Sequence, residues 1–167
     1  MEPLVLSRGA IRRSRHASDK GGSRGSIVDA ISIRERPGWV EDRAVPGHWE
    51  GDLLCGSSNS YIATLVERHS RYVLLVKVAN RDSRSVITAL IEQAKRLPDE
   101  LCKLLTWDRG KEMAEHKRFT LATDSAVYFC DPQSPWQRGS NENTSPLLRQ
   151  YFPKGTNLSV AITGAPG

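Results

Sequence analysis

His48–Gly56, HWEGDLLCG, is the stretch from which the fold can be read. It reads as a strand that ends at Gly56, and the SSNS of 57–60 is turn chemistry. YIATLVER (61–68) and YVLLVKV (72–78) are rich in β-branched and aromatic residues, the composition of strands. RHSR (68–71) is a tight connection between them. Three strands in succession with short loops are antiparallel neighbours.

Beyond these strands the apolar period changes. Asp82 can cap a helix whose apolar residues are Val86, Leu90, Ile91, Ala94 and Leu97, one helical face, and Pro98 stops it. LCKLLTW (101–107) reads as a fourth strand that ends at Asp108. RGKEMAEHKRFTLAT (109–123) reads as a turn and a second helix, AVYFC (126–130) as a short fifth strand, and DPQSP (131–135) as a loop. WQRGSNENTSPLLRQYF (136–152) is a third helix. The order β-β-β-α-β-α-β-α predicts an α/β fold, a mixed sheet with helices on both faces.

At 167 residues the chain suits one domain plus tails. No apolar run reaches the roughly 20 residues of a membrane span. The N-terminus, MEPLVLSRGAIRRSRHAS, lacks the charge-then-apolar order of a signal peptide, so a cytoplasmic location without membrane contact is expected. Cys55, Cys102 and Cys130 are far apart, with no CxxC pair and no zinc-site spacing; buried, reduced thiols are expected. A net charge of +5 points to a polyanionic partner. Residues 1–46 differ from the rest: basic, rich in Gly and Ser, then charged with two prolines. They read as a flexible or loosely docked arm, either a clamp on a nucleic-acid backbone or a solvated linker.

Three acids stand at telling places. Asp52 lies within the first strand, Asp108 at the tip of the fourth, and Glu142 at the start of the last helix. A carboxylate inside an apolar strand is costly without compensation, and strand tips of α/β sheets are where ligands bind. Converging carboxylates repel, and a hard divalent cation removes the conflict; oxygen ligands favour Mg²⁺ or Mn²⁺. Two such ions form a device for phosphoryl transfer. Each acid also admits an ordinary reading. Asp52 could pair with an arginine, Asp108 could serve a turn, and Glu142 could answer a helix dipole. Glu50 competes with Asp52, being two residues back on the same strand face. Asp131 reads as a turn residue, Glu112 as support for Asp108 from the second helix, and His48 and His69 as structural or surface residues.

HWEGDLL, WDRGKEM, SPWQRGSNEN and LLRQYFPKGTNLS together resemble the transposases of the bacterial insertion-sequence-thirty family and, more broadly, the retroviral-integrase-type core. Thirty-three residues between Asp108 and Glu142 suit a DDE triad. The resemblance covers about residues 30–159. It implies an RNase H-like fold and metal-dependent DNA strand cleavage and strand transfer. Asp52, Asp108 and Glu142 match the catalytic, metal-holding triad, with Mg²⁺ or Mn²⁺ as cofactor. The implied partners are DNA, both element ends and target, and a homo-oligomer or full-length transposase; the implied setting is the bacterial cytoplasm, at the nucleoid. Arg12, Arg13, Arg15, Arg109, Lys111, Arg138, Asn141, Asn143, Arg149 and Lys154 are the expected DNA contacts. Asn141 and Asn143 could also bond to Glu142 or a metal-bound water, and Trp136 is expected as a packing anchor rather than a base-stacking platform.

On this reading 1–46 is the arm, 47–159 an integrase-like core incomplete at its C-terminal end, and 160–167 an unrelated tail. The chain then reads as a transposase truncated at both ends. A catalytically silent DNA-binding remnant and a different RNase H-like nuclease are the competing functions. Pro146 departs from the family pattern: either the helix starts near Ser140 and bends at it, or Ser145 caps a later helix with Pro146 in the first position. A continuous, bent helix is the expectation.

Overall fold

The computed structural model describes residues 27–40 and 43–163. Among them, five strands form one sheet in the order β3–β2–β1–β4–β5. These are β1 His48–Cys55, β2 Tyr61–Glu67, β3 Val73–Val78, β4 Leu104–Trp107 and β5 Ala126–Phe129. β1–β2 and β2–β3 pair antiparallel, while β1–β4 and β4–β5 pair parallel. The helices are α1 Ser83–Ala94, α2 His116–Thr123, α3 Gly139–Tyr151 and α4 Leu158–Thr163. This is the mixed α/β sheet, helices on both faces, of the RNase H-like arrangement. None of the helices is long and apolar enough to cross a membrane among the described residues.

The predicted elements are present, with shifted ends. Asp82 does cap α1, accepting from the Ser85 N–H at 2.9 Å. The helix ends at Ala94, before Pro98, which instead leads a 3₁₀ turn at Asp99–Leu101. That turn consumes Leu101, so β4 starts only at Leu104. Residues 111–113 form a separate 3₁₀ turn ahead of α2.

Alternation along β1 divides the molecule. Trp49 and Leu53 point to the face covered by α1 and α2, where Val86, Ile87, Leu90, Met113 and Phe119 complete an apolar core. Gly51 shares that face because a Cβ there would stand 2.1 Å from the Trp107 ring. His48, Glu50, Asp52 and Leu54 point the other way, towards α3 and α4, where Leu54, Ile62 and Leu158 form a second, smaller cluster.

The arm-like composition of residues 27–40 conceals a packed segment. Ile27, Ile33 and Val40 are buried, each such burial contributing about 1.5–3 kcal/mol. Ser32 bridges Phe129 in parallel, and the Phe129 N–H donates to the Ile31 carbonyl at 2.8 Å, which covers the β5 edge. Arg36 is buried and donates to Thr106 Oγ1 at 3.3 Å. The packed unit therefore begins well before residue 47. Arg12, Arg13 and Arg15 lie outside the described residues, as do the last four residues of the expected tail. The cysteines are free, but Cys55, expected buried, is exposed at the end of β1; Cys130 is buried, which pushes its thiol up to about 11.

Candidate active site

Adjacency of β1 and β4 brings Asp52 and Asp108 together, because parallel pairing sets the end of β4 beside the middle of β1. Each acid is steadied by nearby backbone. Asp52 Oδ1 accepts from the Leu53 N–H, and Asp108 Oδ1 accepts from the Gly110 N–H, both at 2.9 Å. Arg138 spans the two. Its guanidinium lies 3.7 Å from Asp52 Oδ1 and 3.8 Å from Asp108 Oδ2 and donates to the Gly51 carbonyl at 2.8 Å. Burial pushes the Asp52 carboxyl above its ordinary value; Arg138 and the Leu53 N–H pull it back, and Asp108 and Glu112 raise it further.

Glu112 sits in the 3₁₀ turn rather than on the second helix. Its Oε1 accepts from the Trp107 indole at 3.0 Å. Gly110 leaves room for it, since a Cβ there would meet the Glu112 carboxylate at 2.2 Å.

The third acid rides on α3. This helix runs unbroken from Gly139 to Tyr151 with Pro146 inside it, so the later start at Ser145 is not adopted. The helix follows directly on a 3₁₀ turn at Pro135–Arg138, and contacts to β1 hold its first residues in helical form. Pro146 has no N–H to donate to the Glu142 carbonyl.

Glu50 does not face the aspartates. It is fully buried, with Oε1 3.0 Å from Arg68 Nε and Oε2 accepting from the Asn141 N–H at 2.9 Å. Arg68 in turn donates to the Val40 carbonyl at 3.0 Å, tying the packed N-terminal segment to the site.

The expected DNA contacts divide. Arg109, Lys111, Asn143 and Lys154 are exposed. Arg149, partly buried, reaches the Cys55 carbonyl at 3.4 Å. Arg138 and Asn141 are buried. Arg138 is engaged by the acids, and Asn141 Oδ1 accepts from the Ser145 hydroxyl at 3.0 Å. The Arg138 side chain is turned inward by its bond to the Gly51 carbonyl of β1, whereas the Asn141 side chain bonds within α3. Trp136, expected as a packing anchor, is 72% exposed. Its neighbours Gln137 and Arg138 anchor the short turn, Gln137 through Asp131, and leave the indole outside. A cleft of about 380 Å³ opens beside the acids, lined by Asp108, Arg109, Cys130, Gln133, Ser134 and Arg138 among others.

Sequence reasoning missed the bridging role of Arg138 and the role of Glu50 as partner of the helix. The alternation in HWEGD was a usable signal for Glu50, since it puts Glu50 and Asp52 on one face; nothing local pointed Arg138 at the strand.

Asp52 and Asp108 offer oxygen ligands only; burial raises the Asp52 carboxyl, Arg138 offsets this in part, and the neighbouring Asp108 and Glu112 add to it. That donor set fits a hard divalent cation. Among the described residues no three His, Cys, Asp or Glu side chains are grouped to hold a metal. The aspartates form a pair, and the helix of Glu142 starts at the residue after Arg138.

The integrase core domain family matches residues 42–135. Among curated relatives, the transposase InsI for insertion sequence element IS30A of Escherichia coli (strain K12) is 53% identical over 152 residues, covering 90% of this chain and 39% of the relative. The transposase for insertion sequence element IS1086 of Cupriavidus metallidurans is 53% identical over 138 residues, 82% of this chain and 41% of the relative. A putative integrase, ORF3, of Spiroplasma virus SpV1-R8A2 B is 32% identical over 145 residues, 84% of this chain and 43% of the relative. The chain thus spans about two fifths of the length of these relatives. With the sheet, the paired aspartates and these matches in agreement, the chain belongs to the integrase core domain family.

Proposed function

We propose that this chain is the catalytic core of a DDE transposase, which cleaves DNA strands and joins them to a target in a metal-dependent reaction. The observation that carries the reading is the convergence of Asp52 and Asp108 on Arg138, at the foot of the helix that bears Glu142. Asp52, Asp108 and Glu142 would hold Mg²⁺ or Mn²⁺. A bound ion would supply charge neutralisation for an in-line displacement at phosphorus and lower the cost of deprotonating the attacking hydroxyl. Arg138 keeps the two aspartates in register, and the backbone N–H groups of Leu53 and Gly110 fix their rotamers. The exposed Arg109, Lys111, Asn143 and Lys154 suit a phosphate backbone passing the cleft, and the net charge of +5 suits the same partner. Element ends and target DNA are the proposed substrates, in the bacterial cytoplasm at the nucleoid, with a second copy or a longer transposase as protein partner.

The test is nicking of supercoiled DNA in Mn²⁺. Asp108→Asn is expected to lower the rate by about a thousandfold or more while the protein stays folded. Nicking that survives this substitution, or that proceeds in a chelator, rules the mechanism out. A second reading, a catalytically silent DNA-binding remnant, draws on Pro146, which deprives the Glu142 carbonyl of its helical partner. It predicts salt-sensitive DNA binding with no nicking in the same assay.

A further inference from the structure

We propose that Glu50 is a positioning residue that caps the helix carrying Glu142, and so sets the third acid against the other two. The inference rests on the assignment of Glu142 to the triad.

The first N–H groups of any helix lack partners within it. At α3 the residue that precedes the helix, Arg138, makes no side-chain capping bond, and its guanidinium is committed to Gly51, Asp52 and Asp108. The carboxylate that reaches the Asn141 N–H comes instead from β1, ninety-one residues away in sequence. A charged acceptor at a helix N-terminus is favoured twice, by the hydrogen bond and by the helix dipole. Glu50 is fully buried, so this bond is not loosened by water, and Arg68 at 3.0 Å supplies the countercharge that such burial requires.

The result is two ties between one strand and one helix start. Gly51 takes the Arg138 guanidinium, and Glu50 takes the Asn141 N–H. Asp52 follows Gly51, and Glu142 follows Asn141. Asp52 and Glu142 are therefore each adjacent in sequence to a tie between β1 and α3. The two acids of the WEGD sequence then have separate duties, Glu50 for the helix and Asp52 for the ion.

Amide hydrogen exchange reads the cap directly, and Mn²⁺ binding reads its consequence. In the full chain, Glu50→Ala is expected to speed exchange of the Asn141 amide by about tenfold or more relative to the β1–β2 amides. The Mn²⁺ concentration for half-saturation should rise by about tenfold, and nicking should fall by about 10–100-fold. Glu50→Gln keeps an oxygen opposite Asn141 and should restore most of the Asn141 protection. Leu90→Ala, on the opposite face, should speed exchange evenly and leave Mn²⁺ half-saturation unchanged. If Glu50→Ala does not fold, because Arg68 has lost its Glu50 partner, Glu50→Ala with Arg68→Met removes both charges and should show the same selective exchange at Asn141.

Asn141 protection equal to wild type in the folded Ala or double variant overturns the proposal. So does a Glu50→Gln chain as exposed at Asn141 as Glu50→Ala. If the wild type neither nicks DNA nor binds Mn²⁺ while Asn141 exchange responds as described, the cap stands and it is the proposed function that fails.

Discussion

The two faces of the sheet obey different rules. On the α1–α2 face, Trp49, Leu65, Val76, Leu90, Phe119 and their neighbours make an apolar core, whose Trp49 indole N–H donates to the Leu101 carbonyl at 2.7 Å. On the α3 face, His48, Glu50, Arg68, Thr106, Arg138 and Asn141 are just as buried, yet polar. The same eight-residue strand serves both, because successive side chains of β1 leave on opposite sides. The difference teaches where stability and chemistry are kept. An apolar core resists solvent but is close-packed, so a methylene removed from it is felt. A buried polar face tolerates little, since each group left without a partner costs about 1–3 kcal/mol, but it can hold acids close together in a set geometry.

Three experiments would break or sharpen that contrast. The largest effect is expected at Leu90, 1% exposed at the centre of the apolar face. Leu90→Ala should destabilise by about 2–5 kcal/mol, visible as a lower urea midpoint, with nicking per folded molecule unchanged. A loss below about 1 kcal/mol would mean this face is not the main source of stability.

Asp52→Asn should act in the opposite direction and more weakly. The folded carboxyl holds its proton more tightly than the unfolded one. Between the ordinary value of 3.8 and the raised folded value, the native state carries the extra proton, so stability falls as pH climbs through that interval and stays lower above it. Asparagine does not titrate. The variant should therefore melt above wild type at neutral pH and lose this advantage as pH drops below the interval. Parallel melting curves across pH would show that the Asp52 carboxyl is not raised in the folded state.

Trp136→Ala should do least to the fold. An indole 72% exposed, outside the packing, is expected to change stability by less than about 0.5 kcal/mol. A larger loss would show that Trp136 is a packing anchor after all, adding to the apolar cluster of Leu54, Ile62 and Leu158 on that side.

Much of this architecture was legible beforehand. The strands of the first half are local features: β-branched runs closed by short turns need no knowledge of the rest of the chain. The Asp82 cap and the α1 face follow from spacing over a few turns. Element ends were less legible, as α1 shows by stopping at Ala94 while Leu97 still packs on the core. Residues 27–40 misled by composition. Few apolar residues suggested an arm, but Ile27, Ile33 and Val40 are all buried. Trp136 misled in the reverse sense, since a large aromatic suggests burial and the anchored turn forbids it.

The sequence by itself determined the order of elements, the positions of the three acids along that order, and the family, because repeats of period 2 and 3.6 and the spacing of motifs are properties of the chain read end to end. Only the tertiary structure decided what the buried charges do. Arg138 belongs to the acids rather than to the surface, and Glu50 belongs to a helix rather than to an ion. The physical reason is that a charge is defined by what surrounds it. Its partners here lie from eighteen to ninety-one residues away in sequence, and only the pairing of β1 with β2 and β4 and the seating of α3 bring them within reach.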